Sequence, residues 1–349
     1  MISRPSPRPS GPPAIWFVAI RTGTGADVFT ERLAAGLIQR GVRAEIAWLP
    51  LRAEYAPWTV AVPTPPAWAT VVHVNTWLHP RFIPERLPVV ATLHHAIHDP
   101  ALRLDKGRVR AAYHDHWIAP VERRIMRRAD RVVAVSRFVA DMARQTLCDL
   151  PMQVIHNGID TGLFRPGARV QQPGEPFRLL YVGAWRRLKG ADLLAPIMRE
   201  LGDHFELHYT GGPAAARDRV HMPRNMRDLG RLSTSQVVAA MQDADALLFP
   251  SRSEGFGLVA AEAMACGLPV IAMQGTAMDE IVEPGVTGML CARDDVRGIA
   301  AAARLLAGDS ELQRAMRLAA RKAAMERFSS TAMADAYASL YRGLSGAGP

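Results

Sequence analysis

Short apolar runs rich in β-branched residues recur along the chain, each followed by a polar or glycine-rich turn and a stretch with helical spacing. The first run is AIWFVAI (14–20), and the turn after it is RTGTGAD. Next comes VFTERLAAGLIQRG, in which Val28, Phe29, Leu33, Leu37 and Ile38 repeat at helical spacing and Gly41 offers a stop. Further buried-strand candidates are TVVHVN (70–75), LPVVATLHH (87–95) and DRVVAVS (130–136), with a basic helix predicted at VERRIMRRAD (121–130). A Pro/Gly/Gln-rich stretch, GARVQQPGEP (167–176), reads as a linker. The pattern then restarts with FRLLYVGAW, a helix from about Ala191, FELHYTGG, a helix near SQVVAAMQDA, DALLFPS, a helix after Gly257, and LPVIAM. Strands that alternate with helices form parallel sheets covered on both faces. The expected fold is therefore α/β, with two Rossmann-like doubly wound domains facing across a cleft. They occupy 14–165 and 177–327, with a linker at 166–176 and a Pro/Ser/Arg-rich disordered leader at 1–13.

Charge is uneven. Residues 1–160 carry 20 Lys and Arg against 13 Asp and Glu, about +7 of the formal +9, together with eight of the eleven histidines. A basic first half suits an anionic partner such as a membrane surface or a phosphorylated glycan. Nucleic acid is disfavoured, because no recognition module or alternating basic–aromatic strand is found. Cys148, Cys266 and Cys291 are widely separated and form neither a disulfide framework nor a CxxC pair, which predicts a reducing, cytoplasmic setting. No apolar run approaches the roughly 18 residues that span a bilayer.

The stretch SEGFGLVAAEA (253–263) places Glu254 and Glu262 on either side of a glycine–aromatic–glycine turn that opens a helix. Free N–H groups and the dipole at a helix start attract phosphate, and Gly255 and Gly257 let a ligand approach the backbone. Carboxylates would repel a pyrophosphate but accept charge-assisted hydrogen bonds from hydroxyls. A nucleotide sugar, with hydroxyls at both ends and phosphates between, satisfies both demands.

SEGFGLVAAEAMACGLPVIA resembles the E-x7-E signature of retaining glycosyltransferases of family 4, which have the GT-B fold. VIHNGID…FRP, DLGRLS and GVTGMLC stand in that family's usual order, and RFSSTAMADAYASLYRGL resembles its closing helix. The resemblance implies that helix 328–345 crosses back to complete the first domain. It also implies that Glu254 binds the donor sugar, Glu262 the ribose, and Phe256, Gly257 and Leu258 the sugar and phosphate through amides. Lys189 of RRLKG would neutralise the diphosphate. The family's usual arginine after Gly183 is replaced by Ala184, and either Arg186 or Arg187 takes over. Gly25 of TGTGAD would approach the donor phosphate, His94 would lie near the donor sugar, and Arg231 and Leu232 would sit by the base. His94, Arg186, Lys189 and Glu254 are thus the expected catalytic set.

Other motifs carry less. TGTGAD lacks the third glycine of a dinucleotide fingerprint. His94 and His98 have zinc-like spacing without the partner glutamate, and DAD (243–245) reads as a solvent-side turn, so no metal site and no cofactor is expected. YHDHW (113–117) either lines an acceptor site or faces solvent. The expected activity is retaining, metal-independent transfer of a hexose from a UDP- or GDP-linked donor to a hydroxyl of a glycan or lipid-linked acceptor. The expected setting is bacterial envelope or exopolysaccharide synthesis. Arg123, Arg124, Arg127 and Arg128 are expected to touch an anionic membrane. The alternatives are a nucleotide-sugar epimerase or hydrolase, an NAD-dependent dehydrogenase, or a silent binding protein.

Overall fold

The structure is a computed structural model and describes residues 11–95, 97–99, 102, 107–169 and 174–344. The chain forms two units: one takes everything up to Gly158 and resumes at Ser330, and the other is Ile159–Ser329. Most of the expected leader and the centre of the expected linker lie outside the described residues. The linker's described ends belong to the second unit, where Arg169 ion-pairs with Glu175, Asp243 and Asp245.

The first unit is a six-stranded parallel sheet in the order β2-β1-β3-β4-β5-β6. Its strands are β1 (Ala14–Ile20), β2 (Arg43–Leu49), β3 (Val71–Asn75), β4 (Val89–Leu93), β5 (Arg131–Ala134) and β6 (Gln153–Val154). Its helices are α1 (Gly25–Ile38), α2 (Arg52–Tyr55), α3 (Arg108–Tyr113), α4 (Ala119–Arg128) and α5 (Arg137–Thr146), with a π turn at His114–Ile118. Alternate residues of β1 serve opposite faces, as the pleat requires. Ile15 and Phe17 pack with Phe29, Leu33 and Leu37 of α1, while Trp16, Val18 and Ile20 pack with Val121 and Ile125 of α4. Val28 and Ile38, expected on the buried face of α1, are exposed; Ala26, Thr30 and Ala34 take the remaining inward positions. Gly41 ends the helix as expected, at φ +73°. Its N–H donates to Ile38 O, and that of Val42 reaches Leu37 O.

The second unit is a parallel sheet in the order β12-β11-β10-β7-β8-β9. Its strands are β7 (Phe177–Tyr181), β8 (Phe205–Tyr209), β9 (Met226–Asp228), β10 (Ala246–Phe249), β11 (Val270–Met273) and β12 (Gly288–Cys291). Helices α6 (Ala191–Leu201), α7 (Thr234–Gln242), α8 (Leu258–Ala265), α9 (Met278–Ile281), α10 (Val296–Gly308) and α11 (Ser310–Arg327) surround it. Strands β2 (RAEIAWL), β6 (QV) and β9 (MRD) lack a sustained apolar run and β12 (GMLC) is short, and the sequence reading passes over all four. All four lie at or next to a sheet edge or are very short, where one face meets solvent and the apolar signal is diluted.

Helix α12 (Ser330–Leu344) packs on α1 and completes the first unit's core with Met333, Tyr337 and Tyr341. Two glycines make this fit possible. A Cβ on Gly36 would stand 2.8 Å from Ala334 Cβ, and one on Gly158 2.6 Å from Ser330 Cα. Inside this layer the His73 imidazole bridges Tyr341 Oη and Thr92 Oγ1, and Thr92 meets Tyr337 Oη at 3.0 Å.

Two of the four α4 arginines are spent on the protein itself. Arg123 donates to Thr146 O and Leu147 O, satisfying carbonyls at the end of α5, and Arg128 donates to Pro84, Glu85 and Leu87 carbonyls. The quartet is thus not a uniformly solvent-facing basic surface. Likewise only part of DAD is a solvent-side turn. Asp245 is buried and accepts Arg178 N–H at 2.8 Å, while Asp243 pairs with the Arg178 guanidinium.

Gly36→Ile is expected to lower the unfolding free energy by about 2–3 kcal/mol through overpacking against Ala334. A urea titration reads it; unchanged stability would show that α12 does not press on α1 at this point.

Candidate active site

In open parallel sheets, ligands bind beyond the C-terminal ends of the strands where the strand order reverses. In the second unit that point lies between β7 and β10. The β7 end leads through Gly183 and Ala184 to a one-turn 3-10 helix, Arg187–Lys189, and then α6. The β10 end leads through Pro250 to Glu254 and the turn that opens α8. Lys189, Glu254, Gly255, Phe256, Gly257, Leu258 and Glu262 are therefore gathered at one edge.

At its centre Lys189 Nζ lies 2.6 Å from Glu254 Oε1 and 3.3 Å from Ser253 O. Glu254 is mostly shielded, and Lys189 about a third exposed. Gly190 makes the approach possible, with φ +74° and no room for a Cβ, which would stand 1.9 Å from Pro250 O. Tyr181 Oη donates to Ala184 O at 3.0 Å and fixes the start of the same loop; burial, with Glu254 nearby, holds its phenol well above the ordinary range.

Gly257 adopts φ +85° at the N-cap of α8. The N–H groups of Gly255, Gly257 and Leu258 have no partner among the described residues, which leaves them available to an anion. The Phe256 ring is buried edge-to-face against Phe328, centroids 5.6 Å apart, so only its backbone can meet a ligand. Glu262 sits one turn into α8 and is half-buried.

The residue the sequence reading missed is Arg252, which is almost fully buried. Its guanidinium takes both carboxylate oxygens of Asp192 at 2.7 and 2.9 Å, reaches Asp294 Oδ1 at 2.7 Å and donates to Arg187 O. Its own N–H donates to Leu188 O at 2.9 Å. Hydrogen bonding to Asp192 keeps the guanidinium firmly charged despite burial. Arg252 thereby ties the Lys189 loop to the loop that carries Glu254. Arg186 and Arg187 are both exposed, and the Arg186 side chain has no partner among the described residues.

Arg231 and Leu232 follow Gly230 (φ +70°) in a turn organised by Asp228. Burial raises the Asp228 pKa, but amides of Gly230, Gly212 and Gly211, with the Arg219 guanidinium, outweigh it and hold the carboxyl below its usual range. Asp228 also escaped the sequence reading, since a single aspartate at a strand end carries no distinctive signal.

The remaining candidates belong to the first unit, at the equivalent point between β1 and β3. Gly25 is the exposed first residue of α1, and its N–H has no partner among the described residues. The turn before it is held by Asp27, which accepts from Thr22 N and Gly23 N at 2.7–3.1 Å. His94 follows β4, buried edge-on to Phe29, with Nε2 3.0 Å from Asn75 Oδ1. That bond places the proton on Nε2 and leaves Nδ1 to accept one. Burial, with His95 and His73 nearby, holds its pKa well below 6.5, so it is a neutral acceptor. His98 does not join it; its Nε2 pairs with Glu122 at 2.7 Å. Among the described residues no group of three His, Cys, Asp or Glu side chains is arranged to hold a metal ion.

A Cβ at residue 190 must displace Pro250, so Gly190→Ala is expected to cost about 2–4 kcal/mol and raise urea sensitivity. A wild-type midpoint would refute the tight crossing. Acid sensitivity is a second expectation. Burial lowers the His73 pKa from 6.5 to about 3 and lowers that of His94 in the same direction. The unfolded chain binds protons that the native state refuses, so stability is full above pH 6.5 and is lost as pH falls toward the folded values. The expected slope is about 1.4 kcal/mol per pH unit for each histidine. Urea titrations at pH 7, 6 and 5 measure it, and His94→Gln should remove one share. Equal stability at pH 7 and 5 would mean that both rings titrate freely.

Two family patterns match this chain: glycosyl transferases group 1 over residues 176–309, and glycosyltransferase family 4 over residues 67–163. A glycogen synthase from Mycobacterium tuberculosis is 31% identical over 295 residues, covering 78% of this chain and 68% of that protein. A D-inositol 3-phosphate glycosyltransferase from Acidothermus cellulolyticus is 31% identical over 344 residues, covering 81% and 74%. Among solved structures, sucrose-phosphate synthase from Thermosynechococcus elongatus superposes with a TM-score of 0.78 at 20% identity, covering 95% of this chain and all of that one. Anabaena HepE in complex with UDP and glucose gives 0.70 at 17% identity, covering 94% and 99%. With two Rossmann-like domains and both patterns in order, the chain belongs to the group 1 and family 4 glycosyltransferases of the GT-B fold.

Proposed function

We propose that this glycosyltransferase moves a hexose from a UDP- or GDP-linked donor to a hydroxyl of a glycan or lipid-linked acceptor, with retention of anomeric configuration and without a metal. The observation that carries the reading is the pairing of Lys189 with Glu254 beside unpartnered amides at the switch point. An anion arriving there finds Lys189, Arg186 or Arg187, and the N–H groups of Gly255, Gly257 and Leu258. Together these can stabilise a departing nucleoside diphosphate. Glu254, released from Lys189, accepts from sugar hydroxyls, and Glu262 from the ribose. In the first unit, neutral His94 is a hydrogen-bond acceptor and Gly25 presents an amide. The base lies against the backbone near Arg231 and Leu232. Retention follows if the acceptor attacks from the face the diphosphate leaves, with a phosphate oxygen taking the proton, which needs no protein carboxylate base.

The relatives named above include glycogen and inositol-phosphate glycosyltransferases, and HepE was solved with UDP and glucose. These names support a nucleotide-sugar donor. Work at the cytoplasmic side of a bacterial envelope, on polysaccharide or lipopolysaccharide, fits the basic first domain.

Calorimetric titration with UDP, GDP and ADP in metal-free buffer tests the reading. One nucleotide should bind selectively, with Lys189→Ala and Glu262→Ala each weakening it tenfold or more. If none binds, or both variants bind like wild type, the assigned donor site is wrong.

A further inference from the structure

The first unit carries a surface that the donor chemistry does not use. Leu51, Tyr55, Trp58 and Val109 expose 50, 55, 67 and 87% of their area. They are neighbours rather than scattered. Trp58 meets Trp117 edge-on at 6.3 Å, Trp117 Nε1 donates to Glu54 O, and Tyr113 Oη donates to Glu54 Oε1 at 3.0 Å. Residues 51–58 are thereby bound to α3 and the π turn. Leu51, Glu54, Arg110 and His114 also line one wall of a cavity of about 310 Å³ that includes Trp77 and His95.

Exposed arginines surround the patch: Arg52, Arg81, Arg108, Arg110 and Arg124. Arg81 reaches Pro57 O at 2.7 Å, and burial, with Arg81 and Arg124 nearby, lowers the pKa of His79, which stacks on Trp117. These arginines therefore share the patch's side of the unit. Of the α4 arginines, Arg123 and Arg128 are turned to carbonyls, and Arg127 lies by Cys148.

We propose that this patch docks the first unit on an anionic lipid bilayer, with Trp58 and Tyr55 in the headgroup layer and the arginines on lipid phosphates. Tryptophan and tyrosine favour that layer because their rings are apolar with one polar edge. Each arginine held near an anionic surface strengthens binding roughly fivefold. A soluble protein partner would be served by the apolar residues, but a bilayer also accounts for a rim in which, among the described residues, five exposed arginines outnumber the exposed Asp115 and the half-buried Glu54. The cavity then opens at the membrane surface, beside the π turn that holds His114–Trp117 of YHDHW. The inference stands apart from the donor reading, since lipid binding needs neither Lys189 nor Glu254.

The test is co-sedimentation of the full chain with phosphatidylcholine vesicles, with or without one-quarter phosphatidylglycerol, at low and high salt. Wild type should bind the anionic vesicles and lose binding with salt. Tyr55→Ser with Trp58→Ser should weaken binding at least tenfold. Arg52→Gln, Arg110→Gln and Arg124→Gln together should weaken it about a hundredfold and flatten the salt dependence. Leu305→Ser with Leu318→Ser, exposed in the second unit, should change nothing, and circular dichroism checks that each variant folds. Equal binding to neutral vesicles, or wild-type binding by the Tyr55/Trp58 variant, overturns the proposal. So does sedimentation velocity showing a dimer that this variant abolishes, which would assign the patch to a second copy of the chain.

Discussion

One buried cation organises the second unit's site. Arg252 sits just after β10, and the segments that follow two other strands give it acceptors: Asp192 and the Arg187 carbonyl after β7, and Asp294 after β12. A guanidinium out of water is costly unless every donor is matched. Here the planar fork meets one carboxylate with both arms and another with its Nε, a geometry no lysine reproduces. Asp192 and Asp294 stay about two-fifths exposed, so they pay little desolvation while holding the buried charge. Asp294 even accepts a left-handed backbone, φ +62°, to do so. The 3-10 turn bearing Lys189 is thereby fixed through its carbonyls, and the lysine can reach Glu254 without the loop being ordered at the moment of binding.

The first unit is held by a different device. Its switch point is covered on one face by α12, which arrives from the far end of the sequence and brings two tyrosines into the sheet. Buried hydroxyls need partners, and His73 supplies them by bridging Tyr341 and Thr92. The imidazole must stay neutral for this, which burial ensures. The same burial gives His94, at the end of β4, a fixed tautomer through Asn75. Core packing and site chemistry here share one cause, the exclusion of water from the carboxyl ends of β3 and β4.

What the sequence made legible follows from the same physics. Central strands are buried on both faces and read as apolar runs, so β1, β3, β4, β7, β10 and β11 stand out. Strand β2, RAEIAWL, alternates between solvent and core and does not. The turn that opens α8 was legible because its glycines answer a backbone constraint, with Gly257 at φ +85°. Arg252 was not, because a lone arginine in SRSEG has the same look whether it faces water or three acceptors. Its role depends on Asp192 and Asp294, distant in sequence, and only the fold brings them together. The basic face of α4 was legible only in part for the complementary reason: periodicity gives the face of a helix but not what lies opposite it, here the orphan carbonyls at the end of α5 for Arg123 and those of Pro84, Glu85 and Leu87 for Arg128.

The pairing of Lys189 with Glu254 gives the proposed donor site a further property. Without a ligand the two charges satisfy each other at 2.6 Å, and neither is left as an isolated buried ion. A lone phosphate would draw the lysine away and leave Glu254 uncompensated near an anion, which is costly where water is partly excluded. A ligand that offers a diphosphate to Lys189 and a hydroxyl-bearing sugar to Glu254 satisfies both partners at once. On the proposed reading, the pair would favour a nucleotide sugar over a free phosphate. Such selectivity would come from the cost of separating two charges rather than from shape, with Gly190 and Arg252 keeping the two loops within reach of each other.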